Sequence, residues 1–440
     1  MIKAIRGTRD LLPPDTDLWN FVEARVRAVF QRYNFREIRT PVFEATELFA
    51  RSVGEDTDIV SKEMFTWEDR SRIPPIPALQ VAAGVRDRYA GQSLTLRPEN
   101  TAGVVRAYIE HDLGRSGQLQ KLYYIGPQFR RERPQKGRYR QFFQIGAEVI
   151  GPPSAGSELP IRDAEVIEML TAVLDSVGLK GWTLHLNSVG CANDRVAYNK
   201  ALREALAGVK DKMCVDCQRR AETNPLRVLD CKVPEDQPII DALPKISQYL
   251  DEPCRQHFAE VKAILETMGI PYQVNERMVR GLDYYTRTTF EFTHGDLGAQ
   301  SAVLGGGRYD GLSESLGGPK APGVGFAMGE DRLVLALQAQ QAEAAVPVNA
   351  YIAPLGAGMN RHALKLAREL RDSGLVVDVG DESFRLKKGF DAAEKMGARY
   401  VVIIGENEVK ADAFAVKDIR KGEQITVPRS GLVAALRKDS

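Results

Sequence analysis

Leu18, Phe21, Val22, Val26, Val29 and Phe30 recur at helical spacing and predict an amphipathic helix over about Asp15–Tyr33. FREIRTPVFEATELF follows as a strand interrupted at Pro41, which lacks the N–H a ladder needs and belongs at an edge or bulge. A short strand at Leu94–Leu96 stops at Arg97-Pro98, ahead of a helix carrying Val104, Val105 and Ala107. Two longer strands come next. The first, about Lys121–Arg130, is rich in aromatic and branched residues, and the second, about Tyr139–Ile150, alternates with period two. In the second, Tyr139, Phe143, Ile145, Ala147 and Val149 alternate with Arg140, Gln144, Gly146 and Glu148. Successive side chains leave a strand on opposite faces, so Arg140, Gln144 and Glu148 are predicted to share one.

Further along, the pattern predicts a helix at Asp163–Val177, a strand at Trp182–Asn187 and charged helical segments from about Cys191 to Phe258. A strand is predicted at Tyr284–Thr293, and GVGFAMGEDRLVLAL reads as a glycine-bearing strand running into a helix. Gln338–Val346 is featureless and is the predicted linker. Beyond it, strands at Asn349–Pro354, Val376–Val379 and Tyr400–Ile404 alternate with helices at Asn360–Asp372 and Phe384–Met396, before a hairpin and a last helix. That alternation predicts a partly parallel sheet flanked by helices, unlike the antiparallel body before it. Ser71–Gln92, with its IPPIP run, is predicted to be a surface excursion.

A chain of 440 residues has room for two or three domains. With 43% hydrophobic and 27% charged residues it has the composition of a soluble globular protein. A net charge of +1 gives no global case for nucleic-acid binding, so any basic patch must be local. The first twenty residues hold no apolar signal core and no run reaches a membrane span, so no membrane partner is expected. Five cysteines are not the framework of a secreted scaffold and point to the cytoplasm. Cys214-x2-Cys217, with Cys231 and Cys254, could give four thiolates to zinc. The outer spacings of 13 and 22 residues match no regular finger, free thiols are the other reading, and no metal ligand is assigned.

The chemistry concentrates in a few stretches. Arg130–Arg140 holds six basic residues and one acid, Glu132. Such a run is either a solvated hairpin tip or the mouth of a polar site, and the adjoining Arg-Gln-Glu face favours the site. Glu99 and Thr101 stand before a helix, where an acid can cap the first turn or hold a substrate ammonium. Gly305-Gly306-Gly307 lets backbone pass close to a ligand, although without a following Lys-Ser/Thr it is not a P-loop. Arg332 falls in the first turn of its helix, where the macrodipole disfavours a cation, so an anionic ligand is expected nearby.

FRRERPQKGRYRQFFQIGAEVIG resembles motif 2 of the histidyl-tRNA synthetases, within the class II aminoacyl-tRNA synthetases. RGLDYYTRTTFE, Arg280–Glu291, resembles a motif particular to that family, and LTLRPENTA resembles its RPEGTA or RPENTA stretch. The first helix and strand with Pro41 resemble the dimer-forming motif 1, and Arg332 matches the motif 3 arginine. Residues 347–440 resemble the family's anticodon-binding domain, so the resemblance covers nearly the whole chain in order.

It implies an α+β fold: a class II antiparallel-sheet catalytic domain over 1–337, an inserted mainly helical domain at 191–258, and a C-terminal α/β anticodon-binding domain at 347–440. The implied reaction activates L-histidine with ATP and transfers it to the 3′ end of histidine tRNA. ATP with Mg²⁺ is the expected substrate pair, no tightly bound organic cofactor is expected, and a homodimer is implied. By resemblance, Arg130 and Arg280 are catalytic at the α-phosphate. Histidine falls to Glu99, Thr101, Arg130, Gln144, Glu148, Arg280, Tyr284, Tyr285 and Tyr309. The nucleotide falls to Arg130, Glu132, Arg138, Arg140 and Arg332, and the tRNA acceptor end to Arg133 and Gln135. Arg385, Lys387 and Lys388 read equally as an RNA contact or a solvated helix start. The alternative is the non-catalytic, histidine-binding regulatory paralogue of ATP phosphoribosyltransferase. That relative usually lacks the anticodon domain and the arginine matching Arg280, and this chain has both.

Overall fold

In the computed structural model, which describes residues 2–54, 57–69, 92–135, 137–279, 281–298, 301–342 and 348–437, the alternating stretch Gln141–Ile150 is an inner strand of an eight-stranded sheet. Across the sheet the strands run Arg36–Glu37, Gln120–Phe129, Gln141–Ile150, Gly323–Gly329, Ala302–Arg308, Thr286–His294, Trp182–Ser188 and Gln273–Val274. The six inner strands pair antiparallel, and each short edge strand joins in parallel. The period-two pattern explains why the central strand holds its register. Ile145, Ala147 and Val149 are fully buried on the back face, where the first helix, Asp15–Arg32, packs. Phe30 of that helix meets the rings of Tyr123 and Phe326 at 4.9 and 6.2 Å. A one-residue slip would send this apolar set to the polar face, so burial fixes which residues line the front.

Differences from the sequence reading have local causes. The central strand starts at Gln141 rather than Tyr139, because the chain turns at Gln135–Arg138, where each backbone N–H donates to the other's carbonyl. Pro41 separates Arg36–Glu37 from Phe43–Ala45, and the latter joins a small sheet with Gln92–Leu96 and Phe65–Asp69. Apart from Gln92, which opens a strand, the Ser71–Gln92 excursion lies outside the described residues.

The cysteine-bearing stretch folds as helices Ala192–Ala207 and Val215–Thr223 with short turns, around a core including Tyr198, Leu202, Leu206, Val228 and Leu250. Its last helix does not stop near Phe258 but runs Glu252–Thr267. His257 on it bonds Asp163 at 2.7 Å, and Asp163 in turn meets the fully buried Arg308 at 2.5 Å. The arginine of the GGGRYD run is therefore a structural clamp, which also takes Asp310 and the Ser157 carbonyl.

The chain divides into two compact units, Met1–Glu343 and Ala344–Ser440. The predicted linker begins as the end of helix Glu330–Ala339, and residues 343–347 lie outside the described set. In the second unit a five-stranded sheet runs Val377–Val379, Ala350–Pro354, Tyr400–Ile404, Ala413–Asp418 and Gln424–Pro428, parallel in its first two pairings and antiparallel in the rest. A short helix at Glu406–Ala411 was not foreseen, because six residues carry too little periodicity to read.

Candidate active site

The front face of the sheet carries Gln144 and Glu148 from the central strand, both buried. Their neighbours explain how. Glu148 pairs across the ladder with Gly325, and a Cβ there would lie 1.7 Å from Glu148 Oε2. Tyr124 pairs with Gly146, whose added Cβ would fall 2.3 Å from the tyrosine hydroxyl. Gly323 gives the same clearance to the Tyr309 ring, and Gly307 makes room beside Tyr285. Glycines on three strands thus carve a recess that Glu148 and the tyrosines occupy.

Helix Thr101–Glu110 closes one side. Both Glu99 oxygens accept from its first N–H groups, Thr101 at 2.7 Å and Ala102 at 3.0 Å. Glu99 does cap the helix, and it also acts electrostatically on Glu148, Tyr124 and Tyr284. Thr101 Oγ1 donates to Glu148 Oε1 at 2.7 Å. The Tyr284 ring lies 4.8 Å from that of Tyr285, tilted by 52°, and 6.0 Å edge-on to Tyr309.

Burial dominates the electrostatics here. It pushes the Glu148 carboxyl up to about 8, against the opposing bond from Thr101. Glu99 is raised by burial too, and the Tyr124, Tyr284 and Tyr309 hydroxyls stay well above their usual range, burial first and nearby carboxylates or phenols second. Among the described residues, Glu148 Oε2, Gln144 Oε1 and the Tyr124 and Tyr309 hydroxyls are buried without a well-formed hydrogen bond, although Tyr309 faces Glu148 and Tyr124 faces Thr101. Each such group costs about 1–3 kcal/mol. Four around one recess mark a place for a polar ligand.

Gln144 also opens onto a cleft of about 230 Å³ lined by Arg130, Glu132, Arg138, Tyr139, Phe142, Gly329 and Arg332. Arg130 lies over the Phe142 ring at 5.3 Å and donates from Nε to the Pro98 carbonyl at 3.0 Å. Glu132 holds Arg138 at 2.8 Å. Arg332 stands in the first turn of helix Glu330–Ala339. Burial lowers its pKa, and the like charge of Arg138 lowers it further. Two arginines set against each other, with Arg332 Nε unpartnered among the described residues, suit an anion.

The remaining sequence candidates fall as follows. Arg140 turns away: its N–H donates to the Gly7 carbonyl at 2.7 Å and its Nη1 to Arg6 at 3.3 Å, because the strand has not yet begun at that position. The shared face predicted for Arg140 is therefore a property of Gln144 and Glu148 alone. Arg133 and Gln135 are exposed on the hairpin. Arg280 lies outside the described residues, next to Gly281, whose carbonyl accepts from Arg227 at 2.6 Å.

Other participants were invisible in the sequence. Arg9, which belongs to no motif in the sequence, pairs with Asp331 at 2.7 Å and lies 4.3 Å over the Tyr139 ring. Asp331 also accepts from Phe143 N at 2.9 Å, tying helix to central strand. Tyr124 and Gly325 gain meaning only from ladder register.

The family profile described as "Histidyl-tRNA synthetase" matches residues 78–333, and an "Anticodon binding domain" profile matches 349–439. A histidine–tRNA ligase of Koribacter versatilis is 71% identical over 99% of this chain and 96% of the relative. One of Solibacter usitatus is 57% identical over 99% of each. An apo histidyl-tRNA synthetase crystal structure from S. aureus superposes with a TM-score of 0.78 at 37% identity, covering 99% of this chain and 100% of that one.

Proposed function

The chain belongs to the histidyl-tRNA synthetase family, and we propose that it is a histidine–tRNA ligase whose two half-reactions use the recess and cleft of the first unit. The carrying observation is the set of buried polar atoms of Gln144, Glu148, Tyr124 and Tyr309 that lack well-formed hydrogen bonds around one recess, beside an arginine-lined cleft. The recess offers what a histidine needs, a carboxyl and hydroxyls for imidazole nitrogens and an amide oxygen and carboxylate for an ammonium. The cleft offers what a nucleotide needs.

In this reading Glu148 and Tyr285 hold the imidazole, Glu99, Thr101 and Gln144 hold the amino group, and Tyr284 and Tyr309 pack the pocket. The histidine carboxylate attacks the ATP α-phosphorus, and the bond to pyrophosphate breaks. Arg130 neutralises charge at that centre and reaches toward the carboxylate; Arg280 joins it on the strength of motif resemblance. Glu132, Arg138 and Arg332 hold the nucleotide, which arrives with its Mg²⁺. Alignment and charge neutralisation are what such a displacement requires of a protein. A ribose hydroxyl at the tRNA 3′ end then attacks the adenylate carbonyl and AMP leaves, with Arg133 and Gln135 near the acceptor end.

Residues 1–337 would be the catalytic domain, 191–258 an insertion within it, and 347–440 the anticodon-binding domain. A cytoplasmic homodimer completes the proposal. The exposed rings of Phe43 and Trp67, 5.9 Å apart beside the motif 1 segment, supply an apolar surface for it. The regulatory paralogue is disfavoured because the C-terminal unit carries the anticodon-binding match.

Exchange of labelled pyrophosphate into ATP, screened with all twenty amino acids without tRNA, tests the first half-reaction. Exchange with histidine alone is expected. Histidine binding without exchange would transfer the reading to the regulatory paralogue.

The raised Glu148 carboxyl adds a pH signature. Free imidazole titrates at about 6.5, and burial pushes the Glu148 carboxyl up to about 8. Between them, pocket and ligand together carry the single proton that a carboxyl–imidazole hydrogen bond needs. Below the window the ligand must release a proton on binding, and above it the complex must take one up. Histidine affinity is therefore expected to peak between the two values and fall about tenfold per pH unit outside them. Calorimetry in buffers of different ionisation enthalpy should count no proton inside the window and opposite signs on either side. A flat profile would remove Glu148 as the imidazole partner.

A further inference from the structure

The four cysteines that the sequence suggested as one zinc set do not meet. Cys254 sits with Cys191, Asp194 and Asp251, where the carboxylates serve as caps. Asp194 accepts from Cys191 N and Asp251 N, both at 2.9 Å, and Asp251 accepts from Cys254 N at 2.8 Å. Cys214, Cys217 and Cys231 instead gather with Asp236, a residue the cysteine pattern could not reveal, and their four donor atoms all lie within 4.8 Å of one another.

We propose that Cys214, Cys217, Cys231 and Asp236 form a closed zinc site that staples the segment supporting the Gly281 turn. A tetrahedral zinc with ordinary bond lengths places two sulfurs about 3.8 Å apart and a sulfur and a carboxylate oxygen about 3.5 Å apart. The Cys214 and Cys231 sulfurs are 3.8 Å apart, and Cys231 Sγ lies 3.2 Å from Asp236 Oδ2. The donors are therefore already near the corners of the polyhedron.

Local structure supports them. Cys214 is the N-cap of helix Val215–Thr223 and Cys217 lies in its first turn, so one helix end carries both sulfurs toward Cys231 and Asp236. Val233 N–H donates to Cys231 Sγ at 3.4 Å, and Cys214 N–H to both Asp236 oxygens at 3.0 and 3.2 Å. Such bonds orient metal ligands and spread their charge. Cys217, Cys231 and Asp236 are buried, so the site is closed by four protein ligands and is structural rather than catalytic.

The staple has a target. The chain between Cys217 and Cys231 includes the turn Pro225–Asp230, from which Arg227 Nη2 donates to the Gly281 carbonyl. Gly281 leads directly to Tyr284 and Tyr285. This link to the recess rests on the proposed function; the metal site does not.

The test uses the full chain purified without chelator. Elemental analysis is expected to find about one zinc per chain. Cys217→Ser and the near-isosteric Asp236→Asn should reduce it at least about tenfold, whereas Cys254→Ser should retain it. After zinc removal, added Co²⁺ should produce a thiolate-to-cobalt charge-transfer band and tetrahedral d–d bands. Circular dichroism identifies any variant that has simply failed to fold, and Asp236→Asn then carries the test. A chain that arrives without metal and gives no thiolate–cobalt band overturns the site. So does a Cys214–Cys231 disulfide in the freshly purified protein, or metal loss in folded Cys254→Ser equal to that in Cys217→Ser. Metal loss that leaves exchange untouched would discard the link to Gly281 while the site itself stands.

Discussion

Gly325→Ala is expected to lower histidine-dependent pyrophosphate exchange by about 10²-fold or more. The added methyl would fall 1.7 Å from Glu148 Oε2 and 2.6 Å from the Ala147 carbonyl oxygen, so neither a rotamer change nor a small tilt clears it. The carboxyl must leave the recess, or the Gly323–Gly329 strand must move off its partner. Either outcome misplaces the group proposed to read the imidazole. The Arg138–Arg332 cleft, built on different side chains, should retain ATP. Equilibrium binding of each substrate separates the cases: histidine affinity lost with ATP affinity kept is the expected pattern. Unimpaired exchange would mean that Glu148 does not work from where it sits.

Arg332→Ala is expected to reduce exchange by about 10²–10³-fold, through nucleotide binding and the reaction itself. Lysine should restore little, because a point charge cannot replace a planar fork against phosphate or a base. The stability readout distinguishes function from structure. Arg332 is desolvated and faces the like charge of Arg138, so its removal should leave the thermal midpoint of the free protein unchanged or higher. A midpoint that falls in step with activity would make Arg332 a structural residue.

The fold was legible where periodicity is long. The first helix, predicted over Asp15–Tyr33, runs Asp15–Arg32, and the helix predicted at Asn360–Asp372 runs Met359–Asp372. Legibility failed at short or ambiguous segments. Arg140 lies outside the strand it was assigned to, because a turn closing at Gln135–Arg138 delays the ladder. Glu99 and Thr101 could be singled out before their helix, but not their meeting with Glu148, which lies 47 residues from Thr101.

Thus the sequence alone determined the family, the order of elements and the residue types gathered for the chemistry, because these depend on local pattern and contiguous motifs. Tertiary structure decided which of those residues meet. Ladder register set Gly325 beneath Glu148 and Gly146 beneath Tyr124, and no spacing along the chain encodes that pairing. It also traded Cys254 for Asp236 in the thiol cluster. Burial, which raises the Glu148 carboxyl and desolvates Arg332, is a property of everything packed around a residue and not of its sequence neighbours.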